Sequence, residues 1–182
     1  MSETLTPLQE LVRSVRTGLT PEELKPEWRF ILLEHIGQKT GEIAEARVRD
    51  FEVKSSKMYF ETGDILYGKL RPQLRKCCVA PEPGACSGDI LALRPMHQDS
   101  AFYLAAVLRS EAFTQRVQRL VAGANLPRVN VKELLTLEVP WPEDPVELSR
   151  RNTIAREAIE MRAALREFSD DISRLEDSII RG

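Results

Sequence analysis

Eight apolar residues, Ile154, Ala158, Met161, Leu165, Phe168, Ile172, Leu175 and Ile179, recur at alternating steps of four and three near the C-terminus. Only a helix brings such positions onto one line, and the alternation of four and three is the a/d seam of a coiled coil. Arg156, Glu160, Arg162, Arg166, Glu167, Asp170, Arg174 and Asp177 keep the other faces polar. The seam predicts a helix from about Glu147 to Ile180, roughly 50 Å long at 1.5 Å per residue. A helix packed on its own domain usually carries a wider apolar face, so a seam this narrow calls for a partner helix.

Upstream the pattern changes. From Trp28 to about Leu93, short apolar segments broken by Gly or Pro predict strands at Arg29–Leu33, Val48–Val53, Asp64–Tyr67, Cys77–Ala80 and Ile90–Leu93. Two amphipathic helices follow, one capped by Asp99 and running to Arg109. The other is capped by Ser110, with Phe113, Val117, Leu120 and Val121 as its apolar stripe. Val131–Leu135 reads as a helical turn, and Leu137–Val139 as a last strand before the break at Pro140-Trp141-Pro142. At the N-terminus, Thr6-Pro7-Leu8-Gln9 has the form of a helix start, with Leu8, Leu11, Val12 and Val15 on one face. Thr20-Pro21-Glu22-Glu23 repeats that signal for a short second helix. The chain therefore divides into an N-terminal helical arm (1–27), a mixed α+β domain with short curved strands and flanking helices (28–146), and a long C-terminal helix (147–182).

A hydrophobic fraction of 42% and a charged fraction of 30% in 182 residues suit one globular domain plus an extension. There is no apolar run long enough to cross a bilayer and no signal-peptide pattern, so the reading is a cytoplasmic protein without membrane contact. Cys77, Cys78 and Cys86 read as small buried hydrophobes, because His35 and His97 cannot plausibly complete a metal site with them. A net charge of −2 excludes an indiscriminate nucleic-acid binder but allows a basic patch on one face.

Such a patch is present in Gly63-Asp64-Ile65-Leu66-Tyr67-Gly68-Lys69-Leu70-Arg71-Pro72-Gln73-Leu74-Arg75-Lys76, whose second half holds four cations and no acid. Two further blocks follow in order: Cys86-Ser87-Gly88-Asp89-Ile90-Leu91-Ala92-Leu93-Arg94-Pro95 and Ala122-Gly123-Ala124-Asn125-Leu126-Pro127-Arg128-Val129-Asn130. Together the three blocks resemble the target-recognition domain of the DNA-specificity (S) subunit of type I restriction-modification systems. The resemblance implies a non-catalytic subunit with one target-recognition domain and one helix, half of the usual tandem arrangement. Two copies with their helices paired antiparallel would read a palindromic split site in duplex DNA. It also implies a DNA adenine methyltransferase as partner, a restriction subunit as a further one, and no cofactor in this chain. S-adenosylmethionine would belong to the methylating partner, ATP and Mg²⁺ to the cleaving one. Pro140-Trp141-Pro142-Glu143-Asp144-Pro145-Val146-Glu147 keeps the family's Pro-rich turn but lacks the Gln that usually follows it.

Base edges in the major groove are read by Arg or Lys on guanine and by Asn or Gln on adenine, while phosphates set the register. Three segments offer that chemistry: Gln38 and Lys39 between two glycines; Lys69, Arg71, Gln73, Arg75 and Lys76; and Asn125, Arg128 and Asn130 around Pro127. Lys69, Arg71 and Lys76 suit phosphates, and Gln38, Gln73, Asn125 and Arg128 suit base edges. Two other functions fit parts of the chain. Glu52 and Lys54 have the Glu-x-Lys spacing of a small Mg²⁺-dependent nuclease, with Asp50 nearby, although such a tripeptide often arises by chance in an alternating strand. The seam alone would also suit a coiled-coil adaptor whose basic loops are incidental. No Walker-type loop, no Asn/Asp-Pro-Pro-Tyr/Phe run and no nucleophilic triad can be assembled from this sequence.

Overall fold

The computed structural model describes residues 3–97, 99–122 and 127–181. In chain order its strands are Glu3–Pro7 (β1), Val12–Ser14 (β2), Gly18–Leu19 (β3), Arg29–Ile31 (β4), Lys57–Phe60 (β5), Ile65–Gly68 (β6), Cys77–Val79 (β7), Gly84–Cys86 (β8), Ile90–Pro95 (β9), Val121–Ala122 (β10), Arg128–Val129 (β11) and Glu138–Pro142 (β12). The helices are Ala101–Arg109 (α1), Glu111–Gln118 (α2), Val131–Thr136 (α3) and Pro145–Arg181 (α4). Among the described residues no helix is long and apolar enough to cross a membrane.

Two four-stranded sheets are stacked, in the orders β2-β9-β6-β7 and β3-β5-β8-β4. Side chains alternate across a strand, so each central strand supplies both of its faces with apolar groups. In β6, Ile65 and Tyr67 point to one layer and Leu66 to the other; in β7, Cys77 and Val79 oppose Cys78; in β9, Leu91 and Leu93 oppose Ala92. The first set packs on Leu104, Leu108, Phe113, Val117 and Leu134 of α1, α2 and α3. The second set meets Ile31, Phe60 and Cys86 of the other sheet. A smaller cluster of Leu24, Phe30, Val48 and Ala85 covers that sheet's far side. The result is helices on sheet on sheet. All three cysteines are buried and unpaired, as read from the sequence.

Several expected elements form differently. The N-terminal segment is not helical: β1 pairs antiparallel with β12, Leu8–Glu10 is a 3-10 turn, β2 pairs with β9, and β3 with β5. Its apolar residues Leu8, Leu11 and Val12 are nonetheless fully buried. The Thr20 signal yields a single 3-10 turn, Pro21–Glu23, with the Thr20 N–H donating to the Glu23 carboxylate at 2.7 Å. Val48–Asp50 is a 3-10 turn and not the start of a strand. Pro140 and Pro142 do not end β12 but lie within it, opposite Leu5 and Glu3 in a two-stranded sheet. The missing proline donors are tolerated there because β12 has a partner on one side only. Ser110 caps α2 as expected, accepting from the Phe113 N–H at 3.2 Å. Asp99 does not cap α1. The Oδ1 of Asn152 on α4 instead accepts from the N–H groups of Phe102 (2.8 Å) and Tyr103 (3.0 Å).

That contact fixes the start of the long helix. Leu148 joins the main core, and Ile159 and Ala163 stay half-buried against the domain. Glu147, Arg151 and Glu3 tie the first turns of α4 to β1. Arg150 and Arg151 donate to the Glu147 carboxylate and hold its pKa down at about 2. From residue 164 to residue 179 every side chain is exposed.

Candidate nucleic-acid interface

The three polar segments picked out by residue type are brought together by the fold. The chain leaving β6 runs beside the segment leading into α3. The Arg71 N–H donates to the Pro127 carbonyl at 3.1 Å, and the Val129 N–H donates to the Lys69 carbonyl at 3.0 Å. Leu70 and Arg128 form an antiparallel bridge between them. The turn at 37–42 approaches from the other side. Lys39, Gln73 and Arg75 share one recess of about 180 Å³ with Glu111, Thr114, Gln115 and Gln118 of α2.

Backbone conformation decides how this face presents its cations. Pro72–Leu74 is a 3-10 turn flanked by Arg71 (φ 49°) and Arg75 (φ 54°), both left-handed. Lys39 is left-handed too, at φ 65°. For a residue with a Cβ this conformation costs about 1–2 kcal/mol, and it persists only where neighbouring contacts impose it. Here the Arg75 N–H bonds the Pro72 carbonyl at 2.9 Å and the Leu74 N–H bonds the Arg71 carbonyl at 2.9 Å. Arg71 is thereby turned out to solvent.

The predicted residues then separate by what their side chains already hold. Lys76 Nζ donates to the Leu33 carbonyl at 2.6 Å, and Arg75 Nε to the Arg109 carbonyl at 2.6 Å. Asn130 caps α3, accepting from the Lys132 N–H at 3.0 Å. Arg128 pairs with Asp89 at 2.5 Å while remaining 59% exposed. Lys69 is half-buried, and burial followed by the nearby Arg128 charge lowers its pKa against the pull of Asp89. Among the described residues, the side chains of Gln38, Lys39, Arg71 and Gln73 have no hydrogen-bond or ion-pair partner; all four are exposed. Asn125 lies outside the described residues. Arg94, in the second of the three blocks, is structural: it pairs with the buried Asp64 at 2.8 Å and with Glu61 at 2.8 Å.

The sequence reading missed Gln115 and Gln118. They lie opposite the Phe113/Val117 stripe of α2, so their exposure was legible from helical period, but their meeting with the turn at 72–74 was not. It also missed Arg109, whose buried guanidinium donates to the Cys77 carbonyl at 3.0 Å.

The Glu-x-Lys constellation does not assemble. Asp50 accepts from the Arg47 N–H at 2.8 Å to close a 3-10 turn, and Glu52 and Lys54 pair with each other at 3.0 Å in solvent. Among the described residues no group of three or more His, Cys, Asp or Glu side chains is placed to hold a metal ion. Val48–Asp50 is a 3-10 turn, and Glu52 and Lys54 lie in no strand.

No protein-family profile matches the chain. It is 30% identical over 112 residues to the type I restriction enzyme EcoDI specificity subunit of Escherichia coli, a match that covers 61% of this chain and 25% of the relative. In fold it is similar to the HsdS subunit from Thermoanaerobacter tengcongensis, with a TM-score of 0.63 at 18% identity. That superposition covers 97% of this chain and 45% of the other. The S subunit of the type I restriction-modification system from M. genitalium gives a TM-score of 0.61 at 16% identity, covering 95% and 43%. A chain from a structural study of complex assembly and conformational transition in the type I R-M system gives 0.65 at 19%, covering 97% and 45%. The chain thus spans a quarter of the curated relative and under half of each solved one. Over its matched part the chain is similar in sequence to a type I restriction enzyme specificity subunit, and over almost its whole length it shares the fold of the solved S subunits, spanning under half the length of each.

Proposed function

We propose that this chain recognises one half of a split duplex DNA site, without catalysis of its own, and directs a separate DNA adenine methyltransferase to it. The observation that carries this reading is the set of four exposed polar side chains without a partner among the described residues, Gln38, Lys39, Arg71 and Gln73, of which Lys39 and Gln73 share a recess with Gln115 and Gln118 of α2. Amide groups suit adenine edges and the cations suit phosphates. Lys69 and Arg128 flank them, while Arg75, Lys76 and Asn130 build the scaffold on which they stand.

The exposed seam of α4 supports pairing with a second helix. Met161, Leu165, Phe168 and Leu175 are each about two-thirds exposed, an arrangement that a lone helix in water does not favour. Pairing through a second copy gives two reading faces related by two-fold symmetry, and therefore a palindromic split target. Co-expression with a neighbouring methyltransferase, followed by mapping of methylated adenines, tests the whole reading. A palindromic bipartite motif is the expected result; methylation independent of this chain would end it. Leu165→Asp with Ile172→Asp should give monomers of unchanged helix content, and a dimer that survives both charges would remove the seam from the interface.

A further inference from the structure

The turn at 37–42 is held from two sides by arginines that do not belong to it. Gly37 N–H donates to the Glu42 carbonyl at 2.9 Å, and Ile36 bridges Ile43, so the turn is a closed loop. On one side lies the Arg109 guanidinium. A Cβ at Gly41, whose φ is +83°, would stand 2.7 Å from its Cζ. No side chain fits there, and the backbone rests directly on a buried cation.

On the other side stands the long helix. Arg162 Nη1 of α4 donates to the Thr40 carbonyl at 3.4 Å, and Arg166 Nη1 pairs with Glu42 Oε1 at 3.1 Å. The Glu42 side chain is 13% exposed, and its Oε1 receives no aligned hydrogen bond. Among the described residues, Arg166 alone meets its charge at ion-pair distance. The same turn carries Gln38 and Lys39 on its outer side. A single loop therefore joins the polar face to the helix whose seam is open to a partner.

We propose that Arg162 and Arg166 are positioning residues: from the long helix they set the turn at 37–42 in the geometry that discriminates between DNA sequences, without touching DNA. The proposal rests on the DNA-reading function above. Its consequence is that whatever shifts α4, including pairing along the seam, also shifts Gln38.

Two measurements on the full chain decide it. The first needs no DNA. In hydrogen exchange, Arg162→Gln with Arg166→Gln should speed exchange at the Gly37 and Glu42 amides about fivefold, the factor expected for losing one part-exposed ion pair and one hydrogen bond. Arg166→Lys, which keeps the charge beside Glu42, should restore most of the protection. Unchanged exchange overturns the clamp whatever the chain binds.

The second uses the duplex enriched by the wild-type chain from a random library, set against a scrambled duplex. The double variant should lose roughly tenfold in the ratio of the two affinities, as one misplaced base contact would cost. The dependence of each affinity on salt should stay as in the wild type. Equal losses on both duplexes with a shallower salt dependence would mean that the arginines touch phosphates, and would overturn the positioning role. So would faster exchange with an unchanged ratio. A wild-type chain that enriches no duplex removes the DNA reading itself, and the exchange result still stands or falls alone.

Discussion

Asp64 and Arg71 stand at the two ends of β6 and show how differently two charged residues serve one strand. Asp64 is 1% exposed; its carboxylate accepts from Arg94 Nε at 2.8 Å, from Arg94 Nη2 at 3.0 Å and from the Glu61 N–H at 2.8 Å. These bonds raise the Arg94 pKa above its ordinary value, first through the hydrogen bond and then through the charge. Breaking a fully buried pair costs about 3–5 kcal/mol. Arg94 is a quarter exposed, so Asp64→Asn should cost less, roughly 2 kcal/mol, read as a lower urea midpoint with an unchanged slope. Arg71 is the opposite case. Its left-handed backbone is held by main-chain hydrogen bonds to Leu74 and Pro127 and by no side-chain contact among the described residues, so removing the side chain takes away no native contact. Arg71→Gly should leave stability unchanged or raise it by up to about 1 kcal/mol while weakening duplex binding. Lower stability together with unchanged binding would make Arg71 a structural residue.

At the level of elements, what could be read from sequence depended on whether the local signal and the tertiary partner agreed. In α4 they agreed, because seam period and length both favour one long helix. In β6, β7 and β9 the short runs were legible, but not that both faces would be buried. At the N-terminus they conflicted. Thr6-Pro7-Leu8-Gln9 carries a helix start, yet the Leu8 N–H bonds the Leu137 carbonyl at 3.0 Å and β1 completes a ladder with β12. Leu8, Leu11 and Val12 reach the core from a strand and a 3-10 turn as completely as a helix would have allowed. Apolar spacing reported burial and not conformation. The polar face was legible by residue type, but Arg75 and Lys76 are bound to the carbonyls of Arg109 and Leu33, far away in sequence, and Asn130 is taken up locally as the cap of α3. The docking of α4 gives a pH test. Arg150 and Arg151 hold the Glu147 carboxylate at about 2, against an ordinary 4.5. A lowered carboxylate pKa contributes stability that is complete above 4.5 and is lost as pH falls towards 2. Urea midpoints of wild type and Glu147→Gln should therefore differ at pH 6 and converge between pH 4.5 and 2. Parallel titrations would show that Glu147 does not hold the helix.

For the whole molecule, the net charge of −2 means that any attraction to a polyanion must come from where the cations stand. Acids are placed to neutralise scaffold arginines: Glu45 and Glu82 at Arg29 and Arg47, Glu61 and Asp64 at Arg94, and Glu42 at Arg166. Among the described residues of the polar face, Lys39, Arg71 and Lys76 meet no acid; of these Lys39 and Arg71 are exposed and without any partner, while Lys76 is bound to a carbonyl and Lys69 is half-buried. Each cation that meets a phosphate steepens the fall of log K with log salt by about 0.9 for duplex DNA. Lys39→Ala with Arg71→Ala should therefore reduce that slope by about 2 and lower affinity alike for selected and scrambled duplexes. Arg75→Ala and Lys76→Ala, whose cations are bound to the Arg109 and Leu33 carbonyls, should instead lower the urea midpoint and leave the slope nearly as it was. The two pairs carry the same charge, and Arg71 sits within a few residues of Arg75 and Lys76, so a model based on net charge predicts one behaviour for both. A reversal, with the slope moving for Arg75 and Lys76 and not for Lys39 and Arg71, would place the phosphate path on the other side of the turn at 72–74.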